Sequence, residues 1–433
     1  MIISKSTKLC ALLHSRETHF ERDNSTRKHS FKSQCYTRRG IHFKSWRPDL
    51  KSDKKKIRSN MKLKDFAIER YFAKYEFSAK YMLSSSDCDG FAMSEVLNLA
   101  SESEKKDWDN LKLGYTETRG SIPLRNAIKK HYQNIALDEI LVTSPGEANF
   151  VLMNVILSKG DEVVCMAPMY QSLYQIAKDI GCTLRLWEPQ ESNGDWTYSV
   201  SDMEDLVSKN TRLVIVNFPH NPTGFSPSQK DYEKLIDICR SHDVYVFSDE
   251  MYRFLDHTPG PCLPSMSDLY EKSISLWGTS KTFGLAGVRI GWLTSKDKML
   301  LQKIENFKDY LSICSSAPSE VLATIALNNL DYFLKRNLDK IAKNILLFSK
   351  FQRKYPSIFD FSPPLTSSTA FIKLHLNEST EDFAKNLVEE TGIMLLPSEA
   401  FEYGGQHARI GFGRENFPEV LDVLDTYLKK YEY

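Results

Sequence analysis

From residue 65 onward the chain alternates between apolar residues at helical spacing and short apolar runs bounded by turn signals. In residues 65–75, DFAIERYFAKY, the positions Phe66, Ile68, Tyr71, Phe72 and Tyr75 fall on one helical face and predict an arm helix. After a turn at Gly120, Ile122, Leu124, Ala127, Ile128 and Tyr132 mark a second helix. A regular alternation follows. Strands are expected over 139–143, 161–167, 183–187 and 212–217, with helices from about Glu147, over 172–180 and over 201–209. Residues 228–241, with Tyr232, Leu235, Ile236 and Cys239 on one stripe, then return the chain by a crossover to an apolar strand, VYVFSDEMY, over 244–252. This order predicts an α/β fold with a doubly wound, mostly parallel central sheet. Beyond it, a largely helical stretch over 296–329 breaks near Ala317 and Pro318, and a long helix spans 331–355. Strands near 370–376 and 408–412 and helices near 380–391 and 417–431 form a smaller α+β layer. The expected division is an arm segment over 61–110, a large domain over 111–329 and a small domain over 330–433.

Candidate chemistry centres on residues 275–292, SLWGTSKTFGLAGVRIGW. A buried strand empties into Gly278, Thr279 and Ser280, and then into Lys281, which has no charged neighbour until Arg289. A lysine among small and apolar residues carries a desolvated amine suited to Schiff-base chemistry with an aldehyde. A surface lysine following a strand is the plain alternative. Gly284, Gly287 and Gly291 allow close backbone approach, and the planar fork of Arg289 suits a phosphate. Upstream, NFPHNPTG (217–224) ends one strand, and the 244–252 strand delivers Asp249 and Tyr252. Ligands of open parallel sheets sit at the C-terminal ends of the strands, so Asn221, Asp249, Tyr252, Ser280, Lys281 and Arg289 can face one crevice.

The motifs HNPTG, SDEMY and SK with GVRIGW, in that order, resemble those of fold-type I, class I/II pyridoxal 5'-phosphate (PLP) enzymes of the aminotransferase family, over roughly residue 111 to the C-terminus. The resemblance implies that Lys281 bonds the cofactor aldehyde and shuttles the substrate proton, while Asp249 pairs with the pyridinium nitrogen so that the ring acts as an electron sink. It places Asn221 and Tyr252 on the ring oxygen O3' and Ser280 and Arg289 on the phosphate. Ser144, Gly146 and Glu147, in the turn SPGEAN, match the phosphate cup at a helix N-terminus. There Pro145 lacks an N–H to give, and Ser144 can equally be a helix cap. Tyr170 matches the ring-stacking aromatic, with a core tyrosine as the alternative. Tyr115, in a stretch similar to the family's YxxxxGxxxLR segment, is implied to reach the phosphate of a neighbouring subunit in a homodimer with shared active sites; here too a core tyrosine is the alternative. Arg409, in HARIGFG, matches the arginine that takes the substrate α-carboxylate, and Arg414 competes for that role.

Transamination between an α-amino acid and a 2-keto acid is the expected reaction. The stretches YMLSSSD and LGYTETRG are also similar to a subgroup acting on arginine derivatives, including capreomycidine synthase and PLP-dependent arginine oxidases, which keeps a cyclase, oxidase or lyase as an alternative. Where many family members have a glycine- and proline-containing loop over the substrate carboxylate, this chain has SSSDCDG (84–90). A non-catalytic PLP-binding regulator would need a winged helix ahead of the fold, and residues 1–60 show no such pattern. His220 is read as a packing or hydrogen-bonding neighbour, and His242, His257 and His407 have no metal-ligand spacing, so no metal is expected.

Composition changes this picture little except at the N-terminus. The 433 residues suffice for one large and one small domain, and no apolar run approaches the roughly 18 residues of a membrane span. No secretory leader is evident. Eight cysteines without a CxxC pair read as reduced thiols of a cytoplasmic protein. The net charge of +1 hides an asymmetry: residues 1–60 hold 16 Lys and Arg against 5 Asp and Glu, the remainder 41 against 51. A basic run of this kind is ordinarily solvated, so no nucleic-acid partner is expected. It reads as a disordered tail or as sequence upstream of a start at Met61. The acids Glu17, Glu21 and Asp23 argue against a transit peptide.

Overall fold

A computed structural model describes residues 63–257 and 262–431; the basic extension over 1–60 and the start at Met61 lie outside the described residues. Seven strands form one sheet in the order Ile140–Thr143, Gly291–Thr294, Ser273–Gly278, Tyr245–Asp249, Thr211–Asn217, Glu162–Met166, Thr183–Trp187. Neighbours pair in parallel except Gly291–Thr294, which is antiparallel to both of its partners. The central strands are runs such as Leu213–Val216 and Val163–Met166, buried on both faces, as helices on either side of a parallel sheet require. The expected doubly wound fold is therefore present.

The antiparallel strand is a finding that the glycine pattern of GVRIGW concealed. Between Gly278 and Gly291 the chain makes only one 3-10 turn, Ala286–Val288, and no crossover helix, so it re-enters the sheet in the opposite direction. Glycine is required at that re-entry. A Cβ on Gly291 would stand 2.9 Å from both the Pro145 ring and the Trp277 carbonyl.

Several boundaries shift for local reasons. The helix expected near Glu147 is Pro145–Ile156, since proline at the first position gives up an N–H that the helix does not use. The strand over 244–252 shortens to Tyr245–Asp249, and Tyr252 sits in the following turn. The stretch over 296–329 is two helices, Lys298–Lys308 and Ala317–Asn328, and the next helix is Leu330–Gln352. The helices Met93–Asn98 and Glu102–Asp109 and the hairpin Gln190–Ser192 with Asp195–Thr197 were not expected. They are short and polar, and Glu102–Asp109 owes its start to a capping box in which Ser101 and Glu104 satisfy each other's backbone N–H.

Toward the C-terminus, Phe359–Asp360, Thr369–Leu374, His407–Gly411 and Leu396–Pro397 form a four-stranded antiparallel sheet, accompanied by the helices Thr380–Thr391 and Phe417–Lys430. The chain just after the arm helix, Ala67–Tyr75, docks here. Tyr81–Met82 pairs in parallel with Ile393–Met394, and the Gly411 N–H donates to the Leu83 carbonyl at 2.8 Å. The contact is so close that a Cβ on Gly411 would lie 1.6 Å from the Ser85 carbonyl oxygen.

Candidate active site

The C-terminal ends of Thr211–Asn217, Tyr245–Asp249 and Ser273–Gly278 open into a cavity of about 500 Å³. The arm helix and the 84–87 segment supply its other wall through Glu69, Phe72, Glu76, Ser86 and Asp87. Asn221, Asp249, Tyr252, Ser280, Lys281 and Arg289, from four separate sequence motifs, all line it. Tyr170, Gly146 and Arg409 join them.

Asp249 ends its strand with one carboxyl oxygen accepting the Met251 N–H at 3.1 Å. Burial pushes this carboxyl up to about 7, and Glu250 adds to the rise; Lys281 lowers it without offsetting the burial. A cationic N–H placed beside it would favour its ionised form. Asn217 ties the strand end to the neighbouring turn: its amide donates to the Asp249 carbonyl at 2.8 Å and accepts the Asn221 N–H at 2.8 Å. The Asn221 side-chain oxygen in turn accepts from Arg409 at 3.1 Å, leaving its NH₂ to donate elsewhere. The Tyr252 hydroxyl is buried without a hydrogen-bond partner among the described residues. An orphaned buried hydroxyl beside a free amide is a fit for an oxygen acceptor.

Lys281 is half-buried, and its amine donates to the Ser86 hydroxyl at 2.9 Å. Arg289 is exposed and holds φ at 59°, a conformation uncommon for a side-chain-bearing residue. Thr279 secures the turn, since its N–H and its hydroxyl both donate to the Ile290 carbonyl at 3.0 Å. At the helix start Pro145–Ile156, Ser144 occupies the cap position without a side-chain cap bond, so the plain capping role does not apply to its hydroxyl. Ser144 and Glu147 are not among the residues lining the cavity; Gly146 is. The Glu147 carboxylate is engaged by the hydroxyls of Thr143 at 2.9 Å and Ser312 at 2.8 Å, which leaves only its backbone for a ligand.

Tyr170 lines the cavity, with its hydroxyl donating to Glu69 at 2.6 Å and its ring 4.9 Å from that of Phe66. Tyr115 is 89% exposed and lies outside the cavity of its own chain, so it is not a core tyrosine. His220 is fully buried, hydrogen-bonded to the Thr223 hydroxyl at 2.7 Å and driven down to about 3 by burial, hence neutral. Of the two competing arginines, Arg414 is engaged by Asp87 at 3.2 Å and Asp89 at 3.4 Å. Arg409 is 2% exposed and faces the cavity. It donates Nε and Nη2 to the Ser84 carbonyl and Nη1 to Asn221, which leaves one N–H on each terminal nitrogen for a carboxylate.

Sequence reasoning missed Ser86, Asn149 and the carboxylates Glu69, Glu76 and Asp87. Glu69, Phe72 and Glu76 share one face of the arm helix, a spacing that was legible; what that face met was not. Glu76 has no hydrogen-bond or ion-pair partner for its side chain among the described residues, and its carboxyl is raised first by burial and then by Asp87 and Glu69.

A doubly wound sheet carrying a lysine, a buried carboxyl and a buried arginine with spare N–H groups around one cavity defines a fold-type I PLP protein, and the free donors at Asn221 and Tyr252 and the raised Asp249 fit that cofactor. The chain belongs to the family aminotransferase class I and II, whose profile it matches over residues 79–424. It is 27% identical to capreomycidine synthase of Streptomyces vinaceus over 81% of this chain and 88% of that protein. It is also 27% identical to an aspartate aminotransferase of Sulfurisphaera tokodaii over 75% of this chain and 86% of that one. Among solved structures, a PLP-dependent aminotransferase from Streptococcus suis superposes with a TM-score of 0.79 at 28% identity, covering 85% of this chain and 98% of that one. No helix of the described residues is long and apolar enough to cross a membrane.

Proposed function

We propose that this chain is a PLP-dependent aminotransferase that moves an amino group between an α-amino acid and a 2-keto acid in the cavity around Lys281. The observation that carries the reading is the meeting, in one cavity, of the Lys281 amine, the raised Asp249 carboxyl and the two spare N–H groups of buried Arg409. When bound, PLP supplies an aldehyde that condenses with amines and a pyridinium ring that accepts the electron pair released at the substrate Cα. Lys281 holds the cofactor through its Nζ and, once displaced, takes the proton from the substrate Cα. Asp249 holds the proton of the ring nitrogen. Asn221 and Tyr252 donate to the ring oxygen, and Tyr170 offers a flat face to the ring. Ser280, Arg289, the N–H groups of Gly146 and Glu147, and Ser144 through its hydroxyl or backbone would hold the phosphate. Arg409 receives the α-carboxylate as a bidentate partner and so orients Cα toward Lys281.

The arm-helix wall supports a choice of substrate. With Arg409 given to the α-carboxylate, Arg289 to the phosphate and Arg414 paired with Asp87, the side-chain region is left with Glu69 and Glu76. Such a wall favours an amino donor with a basic side chain over one with a second carboxylate. The likeness to capreomycidine synthase supports a second reading, a different PLP-dependent reaction on such an amino acid. The reading further includes a cytoplasmic homodimer in which exposed Tyr115 reaches the phosphate bound by the second copy, with domains over 111–329 and 330–433.

The test is to incubate PLP-loaded protein with single amino acids and 2-oxoglutarate. Glutamate and the matching keto acid are expected, with arginine or ornithine ahead of aspartate. Oxygen uptake, cyclised product or elimination product without glutamate would transfer the assignment to the second reading.

A further inference from the structure

We propose that Ser86 is a positioning residue that receives the Lys281 amine whenever this lysine is not bonded to the cofactor, and that the segment 84–86 links it to the carboxylate clamp at Arg409. The inference rests on the reading of Lys281 as the cofactor-bonding lysine, and goes beyond it by giving the released amine a fixed partner. The sequence singled out SSSDCDG as a departure from the family pattern, and the proposed transamination gives its three serines no role.

The geometry is specific. The Ser86 hydroxyl accepts from Lys281 Nζ at 2.9 Å across 195 residues of chain. Its backbone is fixed from several sides. The Ser86 carbonyl accepts from the Ser368 hydroxyl at 2.7 Å, and the Ser85 hydroxyl accepts from Arg414 at 3.0 Å. The Ser84 carbonyl accepts from Arg409 Nε at 3.1 Å and Nη2 at 2.9 Å. Gly411 allows the Ser85 carbonyl an approach that no side chain would permit. A hydroxyl placed so rigidly is a preset acceptor: it takes one N–H of Lys281 and so fixes where the amine sits in the cavity. The guanidinium that meets the substrate carboxylate grips the same three-residue segment, so substrate orientation and amine orientation are set by one piece of backbone.

This arrangement has a consequence of definite sign. The hydrogen bond stabilises the free amine, the state that precedes cofactor bonding, and therefore opposes the bond between Lys281 and the aldehyde. A net hydrogen bond is worth about a two- to tenfold factor in an equilibrium constant. Ser86→Ala should therefore tighten PLP binding by about two- to tenfold. Affinity for 4'-deoxypyridoxine phosphate, which has no aldehyde and leaves the lysine free, should stay as in wild type.

The experiment is equilibrium titration of cofactor-free wild type, Ser86→Ala and Ser86→Gly with each compound, followed by fluorescence. Tighter PLP binding in both variants with unchanged deoxypyridoxine phosphate binding supports the proposal. Weaker binding of both compounds would assign Ser86 a merely structural role and overturn it, as would unchanged PLP affinity. Wild type that binds PLP without bonding it through Lys281 would overturn the proposed function and this inference together, whereas a normal lysine bond with no Ser86 effect overturns this inference alone.

Discussion

The two walls of the cavity are built on different principles. One is the strand-end wall, where Asn221, Asp249, Tyr252 and Ser280 are all buried and emerge within a few residues of a sheet strand. The other is the arm wall, where Glu69, Glu76, Ser86 and Asp87 are exposed or half-buried and the 84–87 segment is held across the chain by Arg409, Arg414 and Gly411. Chemistry common to a family sits where local sequence and sheet topology fix geometry together. The remaining features of the cavity sit where geometry depends on distant partners. The difference predicts that substitutions on the first wall will cut turnover and that those on the second will move affinity and selectivity.

The largest effect is expected at Lys281. Lys281→Ala should remove the visible absorbance of the PLP-loaded protein and lower turnover by roughly 10⁴-fold, with an unchanged far-ultraviolet circular dichroism spectrum. Next, Asp249→Asn should keep PLP bound while turnover falls by about 10²- to 10³-fold; steady-state kinetics at saturating amino donor check this. Asp249 also has a pH signature in the cofactor-free chain. Burial raises its carboxyl from 3.8 to about 7, so the folded chain holds a proton that the unfolded chain releases between those values. Stability should therefore fall as pH rises from about 4 to 7, and Asp249→Asn should remove that part of the fall. Melting temperatures at pH 5 and pH 8 for the two proteins measure it, with the variant the more stable at pH 8.

On the arm wall, Gly411→Ala places a methyl group against the Ser85 carbonyl. It should cost about 2–4 kcal/mol of stability and weaken substrate binding through the displaced segment, seen as a lowered melting temperature and a raised KM. The smallest effect is expected from Glu76→Gln. It should leave kcat for a neutral amino donor unchanged while reducing preference for a basic over an acidic donor by about tenfold or less. An unchanged preference would remove the arm wall from the account of selectivity.

The same contrast explains what could be read in advance. The strand ends were legible because Val163–Met166 and Leu213–Val216 are unbroken apolar runs that empty into turn residues, and the motif residues lie immediately beyond them. The antiparallel strand Gly291–Thr294 was not, because its glycine signals close approach and direction depends on the absence of a crossover helix. Arg409 could be matched by motif, but its choice over Arg414 needed Asp87 and Asp89, which engage Arg414 from more than 300 residues away in sequence. Ser86 and Glu76 carry no local signal of function. Only the docking of the chain at Gly411 and the facing of the arm helix give them one.

The central claim is a covalent bond between PLP and Lys281. Borohydride reduction of the PLP-loaded protein, followed by proteolysis and mass spectrometry, tests it most directly. The account predicts one phosphopyridoxyl group per chain, on the peptide containing Lys281. A label on any other lysine, or none after saturation with PLP, would contradict it.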